Sequence, residues 1–388
     1  MADKFIPLSV PNIHGNELKY VTDALKSEWV STAGQDIAVF EKEFSSYLEI
    51  ENACAVQSGT AGLHLCLRHF GIGPEDIVLV PTLTFIATVN PILYQNAEPI
   101  FFDCDDHLCI DAGQIKEYLE KYCIVRDQKT FDKKSGKCVK AVIPVHIFGD
   151  YARMDDLMAL AEKYHLFVIE DATEALGTKV SDGKYKDSFV GTIGDAAVFS
   201  FNGNKIITTG GGGMVVSKNK AVIDHIRYLS QQAKDDAVYF INNEIGYNYR
   251  MTNVQAAMGR GQLERLNEFV KIKQDNLTLY EKFLSDSGYL LMTFRDKSRC
   301  NCWFYSLLMP NAEQRDAMIR HLSANNIQSR PVWMLNHRQK PFLKYRKMPC
   351  PKAETFYDRI VNIPCSTNLT PDDIRCVCDT IISFSCED

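Results

Sequence analysis

The chain has 388 residues, 46% hydrophobic and 24% charged, with a formal net charge of -6. That length calls for a large domain with a smaller one appended, and the composition excludes a disordered or fibrous chain. The charge is spread along the sequence without a basic block, which argues against nucleic acid or an anionic membrane as a partner.

Met1-Ala2-Asp3-Lys4-Phe5-Ile6-Pro7 lacks the apolar core of a signal peptide. No apolar stretch approaches the roughly 18 to 20 residues that cross a bilayer, so a cytoplasmic location is expected. From residue 50 to about 216, β-rich runs alternate with helical periods, the pattern of a mainly parallel sheet covered by helices. The predicted strands are Ala53–Val56, Ile77–Val80, Pro99–Phe102, Ala141–Val145, Leu166–Ile169 and Ala196–Ser200. Helices are predicted at 60–70, 86–94, 112–122 and 153–164. Asp127–Lys137, rich in Lys and Asp, reads as a solvated loop. After Gly246 the pattern changes to a long helical stretch near 252–285, a strand at Trp303–Met309 and helices near 312–324 and 371–384. The division expected is a large domain over 1–250 and a smaller α/β domain over 251–388.

Thirteen cysteines scattered from Cys54 to Cys386, an odd number with no Cys-x-x-Cys, read as free thiols. Cys300-x-Cys302 and Cys376-x-Cys378 are the nearest approach to a metal pattern. One intervening residue in a strand merely puts both side chains on one face, and no metal is expected.

In sheets of this kind ligands collect beyond the carboxyl ends of the strands. Those ends carry Ser58-Gly59-Thr60, Thr84-Phe85, Asp171 and Ser200. Gly59-Thr60-Ala61-Gly62 opens an apolar helix after a buried strand. It offers backbone amides and a positive helix end to an anion, or else is a plain turn capped by Ser58 or Thr60. The Gly-x-Gly-x-x-Gly fingerprint and the Walker-type Gly-Lys-Ser/Thr are both absent. Glu170-Asp171 ends an apolar strand and sends an acid toward a ligand. Ser200-Phe201-Asn202-Gly203-Asn204-Lys205 delivers a lysine ahead of Gly210-Gly211-Gly212-Gly213, a candidate amine for an imine with an aldehyde cofactor. His337 follows a strand-like segment and is expected at the surface.

Five ordered segments resemble the DegT/DnrJ/EryC1/StrS family of sugar aminotransferases: Ser58-Gly59-Thr60-Ala61, Pro81-Thr82-Leu83-Thr84-Phe85, Glu170-Asp171-Ala172-Thr173-Glu174, Ser200–Lys205 and Gly246-Tyr247-Asn248-Tyr249-Arg250-Met251. The resemblance runs from Trp29-Val30-Ser31 to Ser329-Arg330-Pro331. It implies an α/β, fold-type I aminotransferase of the aspartate aminotransferase-like kind, dependent on pyridoxal 5'-phosphate. By the same resemblance Gly59, Thr60 and Ser200 hold the cofactor phosphate and Phe85 stacks on the pyridine ring. Asp171 pairs with the ring nitrogen, Glu174 lies beside the phenolic oxygen and Lys205 forms the imine. Asn248 reaches the phosphate of the neighbouring subunit, so a homodimer with shared sites is implied. Trp29, Ser31, Thr32 and Arg330 are candidates for lining the substrate opening.

Glu174 stands where many members have Gln, and Gly211 where many have an acid. These departures resemble the subgroup of bacillosamine and legionaminic-acid synthesis, which aminates C4 of UDP-2-acetamido-4-keto-2,4,6-trideoxyglucose. The implied reaction is ping-pong: L-glutamate leaves as 2-oxoglutarate with the cofactor as pyridoxamine 5'-phosphate, and a nucleotide-linked keto sugar then takes the amino group. The alternatives are amination at C3, a dTDP or GDP sugar, a dehydratase on the same cofactor, and a non-catalytic sensor. Dehydratases of this kind resemble the pattern with His in place of the lysine, and Lys205 speaks against that activity.

Overall fold

Strands that are apolar on both faces need cover on both faces, and Asp76-Ile77-Val78-Leu79-Val80-Pro81 is buried at every position. The computed structural model describes residues 4–236 and 238–384; Met1–Asp3 and Cys386 lie outside the described residues. Strands of the large sheet are β1 (Asn52–Val56), β2 (Asp76–Pro81), β3 (Glu98–Phe102), β4 (Cys123–Arg126), β5 (Lys129–Asp132), β6 (Cys138–Val142), β7 (Phe167–Asp171), β8 (Ala196–Ser200) and β9 (Gly213–Ser217). Their order is β1-β9-β8-β7-β6-β2-β3, with β5 paired to β6 and β4 to β5. The pairs β8-β7, β7-β6, β6-β2 and β2-β3 are parallel, and β9 is antiparallel to both neighbours. A second, antiparallel sheet holds β10 (Leu290–Leu291), β11 (Tyr305–Leu308), β12 (Arg330–Pro331) and β13 (Ile360–Ile363) in the order β10-β11-β13-β12.

Helices α1 (Glu17–Lys26), α2 (Gln35–Tyr47), α3 (Gly59–His69), α4 (Asn90–Tyr94), α5 (Ala112–Tyr122), α6 (Met154–Tyr164) and α7 (Lys220–Ser230) accompany the large sheet. They are followed by α8 (Asn253–Leu263), α9 (Leu266–Leu284), α10 (Ala312–Ala324), α11 (Pro351–Arg359) and α12 (Pro371–Ile382). Local chemistry fixes several starts. Asp111 accepts from the amides of Gly113 and Gln114 at α5, and Thr252–Gln255 and Thr370–Asp373 form capping boxes at α8 and α12. Three apolar clusters result. One contains Val78, Ile169 and Val198, another contains Phe40, Phe44, Phe199 and Phe201, and the third runs from Leu79 and Val168 into Leu307 and Val361 of the second sheet. The two sheets therefore share one continuous core.

Four elements differ from the sequence-based expectation. Asp127–Lys137 is not simply a solvated loop: β4 and β5 form a hairpin, and Asp132 is buried because Tyr118 Oη, Arg346 and the Ser135 amide all donate to it. The helix expected at 86–94 is a 3-10 turn, Ile86–Thr88, followed by α4, which restarts where Pro91 supplies no amide. The stretch at 252–285 divides into α8 and α9. Strand β6 starts earlier than Ala141, where Cys138 and Val139 pair with β5.

A buried carboxylate ties the centre together. Glu170 is fully buried and takes hydrogen bonds from the amides of Gly191, Ile193 and Gly194 at 2.9, 2.7 and 2.6 Å, with His146 Nε2 at 2.9 Å. Burial alone would raise its pKa; His146 and the amides outweigh it and hold the group below the ordinary glutamate value. Glu170→Ala strands these donors and should destabilise the protein by about 3–5 kcal/mol, read from urea unfolding.

Candidate active site

Side chains alternate along a strand, so the two acids ending β7 face opposite ways. Glu170 enters the core, and Asp171 enters a cavity of about 560 Å³ beyond the strand ends. Asp171 is 3% exposed; Thr88 Oγ1 donates to its Oδ2 at 2.7 Å and the Thr173 amide to its Oδ1 at 3.2 Å.

Helix α3 begins at the same cavity. Ser58 Oγ accepts from the Ala61 amide at 3.0 Å as N-cap, and Gly59 and Thr60 of the first turn line the cavity with Ser200. A Cβ on Gly59 would stand 3.0 Å from Thr173 Cγ2 and 3.2 Å from Ser200 Cβ, and one on Gly213 only 2.9 Å from the Gly59 nitrogen. Glycine at both positions lets β8, β9 and the helix start converge, with the positive end of α3 at the cavity wall.

Lys205 leaves β8 through a turn closed by its amide to the Asn202 carbonyl at 3.0 Å. Its Nζ lies 3.3 Å from Glu174 Oε1 and 3.9 Å from the centroid of the Trp303 ring. The other Glu174 oxygen accepts from the Phe148 amide at 2.9 Å, and burial raises the Glu174 pKa against the pull of Lys205. At the mouth, Phe85 is 50% exposed with its ring 5.9 Å from that of Trp333, and Arg330, Gln328 and Ser9 complete the rim.

Gly59, Thr60, Phe85, Asp171, Glu174, Ser200, Lys205 and Arg330 thus line one cavity. Trp29, Ser31, Thr32 and Asn248 do not. Trp29 is 62% exposed, and the carbonyls of Trp29 and Ser31 accept from the Asn253 side chain and amide. Asn248 is exposed in an isolated bridge to Gln231. His337 is not at the surface as expected. It is buried, with Nδ1 2.6 Å from Thr82 Oγ1, because the turn at Asn336–Arg338 docks on the 82–84 segment through Asn336. Thr88 and Trp303 are site residues that the sequence reading did not single out. A threonine in a predicted helix and a tryptophan opening a predicted strand carry no signal for a contact made across the fold.

A mixed sheet that brings a lysine, two buried carboxylates and a glycine-cradled helix start to one cavity defines a fold-type I aminotransferase. A DegT DnrJ EryC1 StrS aminotransferase from Brucella abortus has the same fold, with a TM-score of 0.85 at 27% identity over 94% of each chain. The chain belongs to the DegT/DnrJ/EryC1/StrS aminotransferase family, whose pattern matches residues 11–382. Members of this family depend on pyridoxal phosphate, and solved structures of this fold include pyridoxal and pyridoxamine phosphate forms. The chain is 36% identical to a GDP-perosamine synthase of Escherichia coli O157:H7, over 98% of this chain and 99% of that one. It is 29% identical to a UDP-4-amino-4,6-dideoxy-N-acetyl-beta-L-altrosamine transaminase of Campylobacter jejuni, over 98% and 97%. Among the described residues no helix is long and apolar enough to cross a membrane.

Burial, with Lys347 and Arg338 nearby, pushes the His337 pKa from about 6.5 down to about 4, against the pull of Glu354. The unfolded chain therefore takes up this proton first, and the stability it contributes is present above pH 6.5 and lost as pH falls toward 4. His337→Gln should lose less stability than wild type between about pH 7 and about pH 5, compared by urea midpoints.

Proposed function

We propose that this protein transfers an amino group from L-glutamate to the C4 keto group of a nucleotide-linked 4-keto-6-deoxy sugar, with UDP-2-acetamido-4-keto-2,4,6-trideoxyglucose as the leading substrate. The product serves bacterial surface-glycan or glycoprotein sugar synthesis in the cytoplasm. The observation that carries the reaction class is Lys205 Nζ held beside Glu174 in the cavity that also contains Asp171 and the start of α3. The sugar rests on the departures at Glu174 and Gly211 and on the 4-amino-4,6-dideoxy sugar of the Campylobacter relative. A GDP-linked keto sugar is the second reading, favoured by the higher identity to a GDP-perosamine synthase.

The cavity suits pyridoxal phosphate. Gly59, Thr60 and Ser200 border the positive end of α3 and would take the phosphate, while the exposed face of Phe85 would take the ring. Asp171 would pair with the ring nitrogen. Its buried carboxylate has Thr88 and Thr173 as hydrogen-bond donors to keep it oriented, and a carboxylate so placed favours a protonated ring nitrogen. Glu174 would lie beside the phenolic oxygen. When bound, the cofactor supplies a carbonyl that accepts the donor's amine and a ring that draws electrons from the reacting carbon. Lys205 Nζ takes the proton from the donor's Cα in the first half-reaction and returns a proton to the sugar's C4 in the second. Arg330 at the rim presents a cation to anionic substrate. Asn248 lies outside its own cavity and would complete that of a second copy, making a homodimer the working unit.

Three experiments test this. Cofactor-loaded wild type should show a visible absorbance band that bleaches with L-glutamate, and bleached enzyme should aminate the UDP-linked keto sugar faster than its GDP counterpart. Lys205→Ala should lower turnover by about 10²–10⁴-fold or more; no band in loaded wild type, or near-normal turnover in the variant, refutes the lysine assignment. Mixing Asn248→Ala with Lys205→Ala should restore part of the activity through hybrid dimers. Absence of recovery despite verified subunit exchange counts against a shared site.

A further inference from the structure

Trp303 is 2% exposed, lies on the segment entering β11 and lines the active-site cavity. The face of its indole lies against the Lys205 amine, 3.9 Å from ring centroid to Nζ. Its edge holds the same turn: Nε1–H donates to the carbonyl of Asn204, the residue before Lys205, at 2.7 Å. One ring therefore grips the lysine twice, through the backbone that carries it and through the charge at its tip.

The indole is itself held from behind. The Trp303 carbonyl accepts from the buried Lys273 Nζ at 2.8 Å, and Lys273 also donates to the Cys365 carbonyl beside β13. Two residues earlier, Asn301 Nδ2 donates to the carbonyls of Glu174 and Leu176, each at 2.9 Å. Cys302 between them has φ 51°, left-handed backbone that a non-glycine residue keeps only when its surroundings impose it. The 301–303 segment thus fixes indole, lysine turn and Glu174 loop as one unit. A cation over an indole face is attracted by the ring quadrupole, more strongly where water is excluded.

We propose that Trp303 is the positioning residue for Lys205: when the amine is not joined to a carbonyl, the indole face docks it as the ammonium and fixes the side from which it delivers and collects its proton. The proposal rests on Lys205 being the reactive amine. The other charged groups lining the cavity are Asp171, Glu174 and Arg330, of which Glu174 is in contact with Lys205. Removing the indole while Glu174 remains isolates the ring's share.

The test uses cofactor-free protein, so it reads the amine–indole pairing separately from the turnover of Lys205→Ala. Trace acetylation with acetic anhydride across pH, followed by mass spectrometry of the peptide containing Lys205, gives the pKa of that amine. Trp303→Leu should lower it by about one unit, and Trp303→Phe, which keeps a weaker aromatic face, by less. An unchanged Lys205 pKa in folded Trp303→Leu overturns the proposal. Should Trp303→Leu fail to fold, wild type labelled with 5-fluorotryptophan decides. The chain has three tryptophans, and Trp29→Phe and Trp333→Phe assign their fluorine signals. The Trp303 signal should titrate with Lys205 and lose that titration in Lys205→Met; a Trp303 signal indifferent to Lys205 overturns the proposal equally.

Discussion

The active site depends on a carboxylate that stays outside it. Glu170 gathers three amides of the 191–194 loop and His146 in the dry centre of the large sheet. Among the described residues the three amides have no other hydrogen-bond partner, and leaving buried donors unpaired is costly. The strand cannot slip by one residue without exchanging Glu170 for Asp171, since successive side chains point to opposite faces. Pinning Glu170 in the core is therefore what aims Asp171 into the cavity, at the end of a parallel strand where adjacent loops diverge and leave room for a ligand.

Around that fixed point the site is assembled from three directions. The large sheet brings Asp171, Ser200 and Lys205 on neighbouring strand ends. Helix α3 brings its positive end, admitted to close range by glycines at 59 and 213. The second sheet, continuous with the first through the shared core, brings Trp303 on one side and Arg330 on the other. Apolar burial holds the two sheets together over a wide area, while hydrogen bonds from Asn301 and Trp303 set the final alignment of the 174 and 205 loops. The first term supplies most of the free energy, and the second supplies direction.

Much of this was legible in the sequence because it is written locally. Continuous apolar runs marked the buried strands, and the residues at their carboxyl ends, Ser58, Thr84, Asp171 and Ser200, all line the cavity. Helices with strong starts, such as those at 112 and 312, were placed to the residue, since Asp111 and Asn311 cap them with their own side chains. Less legible were elements that exist only through partners: the β4–β5 hairpin, whose Asp132 is neutralised by Arg346 from far along the chain, and the short strands of the second sheet.

By itself the sequence determined the alternation of strands and helices between residue 50 and about 200, the residue types at those strand ends and the family to which the chain belongs, because these follow from local periodicity, capping and ordered motifs. Only the tertiary structure decided that His337 is buried against Thr82, that Thr88 orients Asp171 and that Trp303 faces Lys205. Each of those contacts joins residues dozens to hundreds of positions apart. No local pattern encodes such a meeting, which is set by how two sheets and their helices close over a common core.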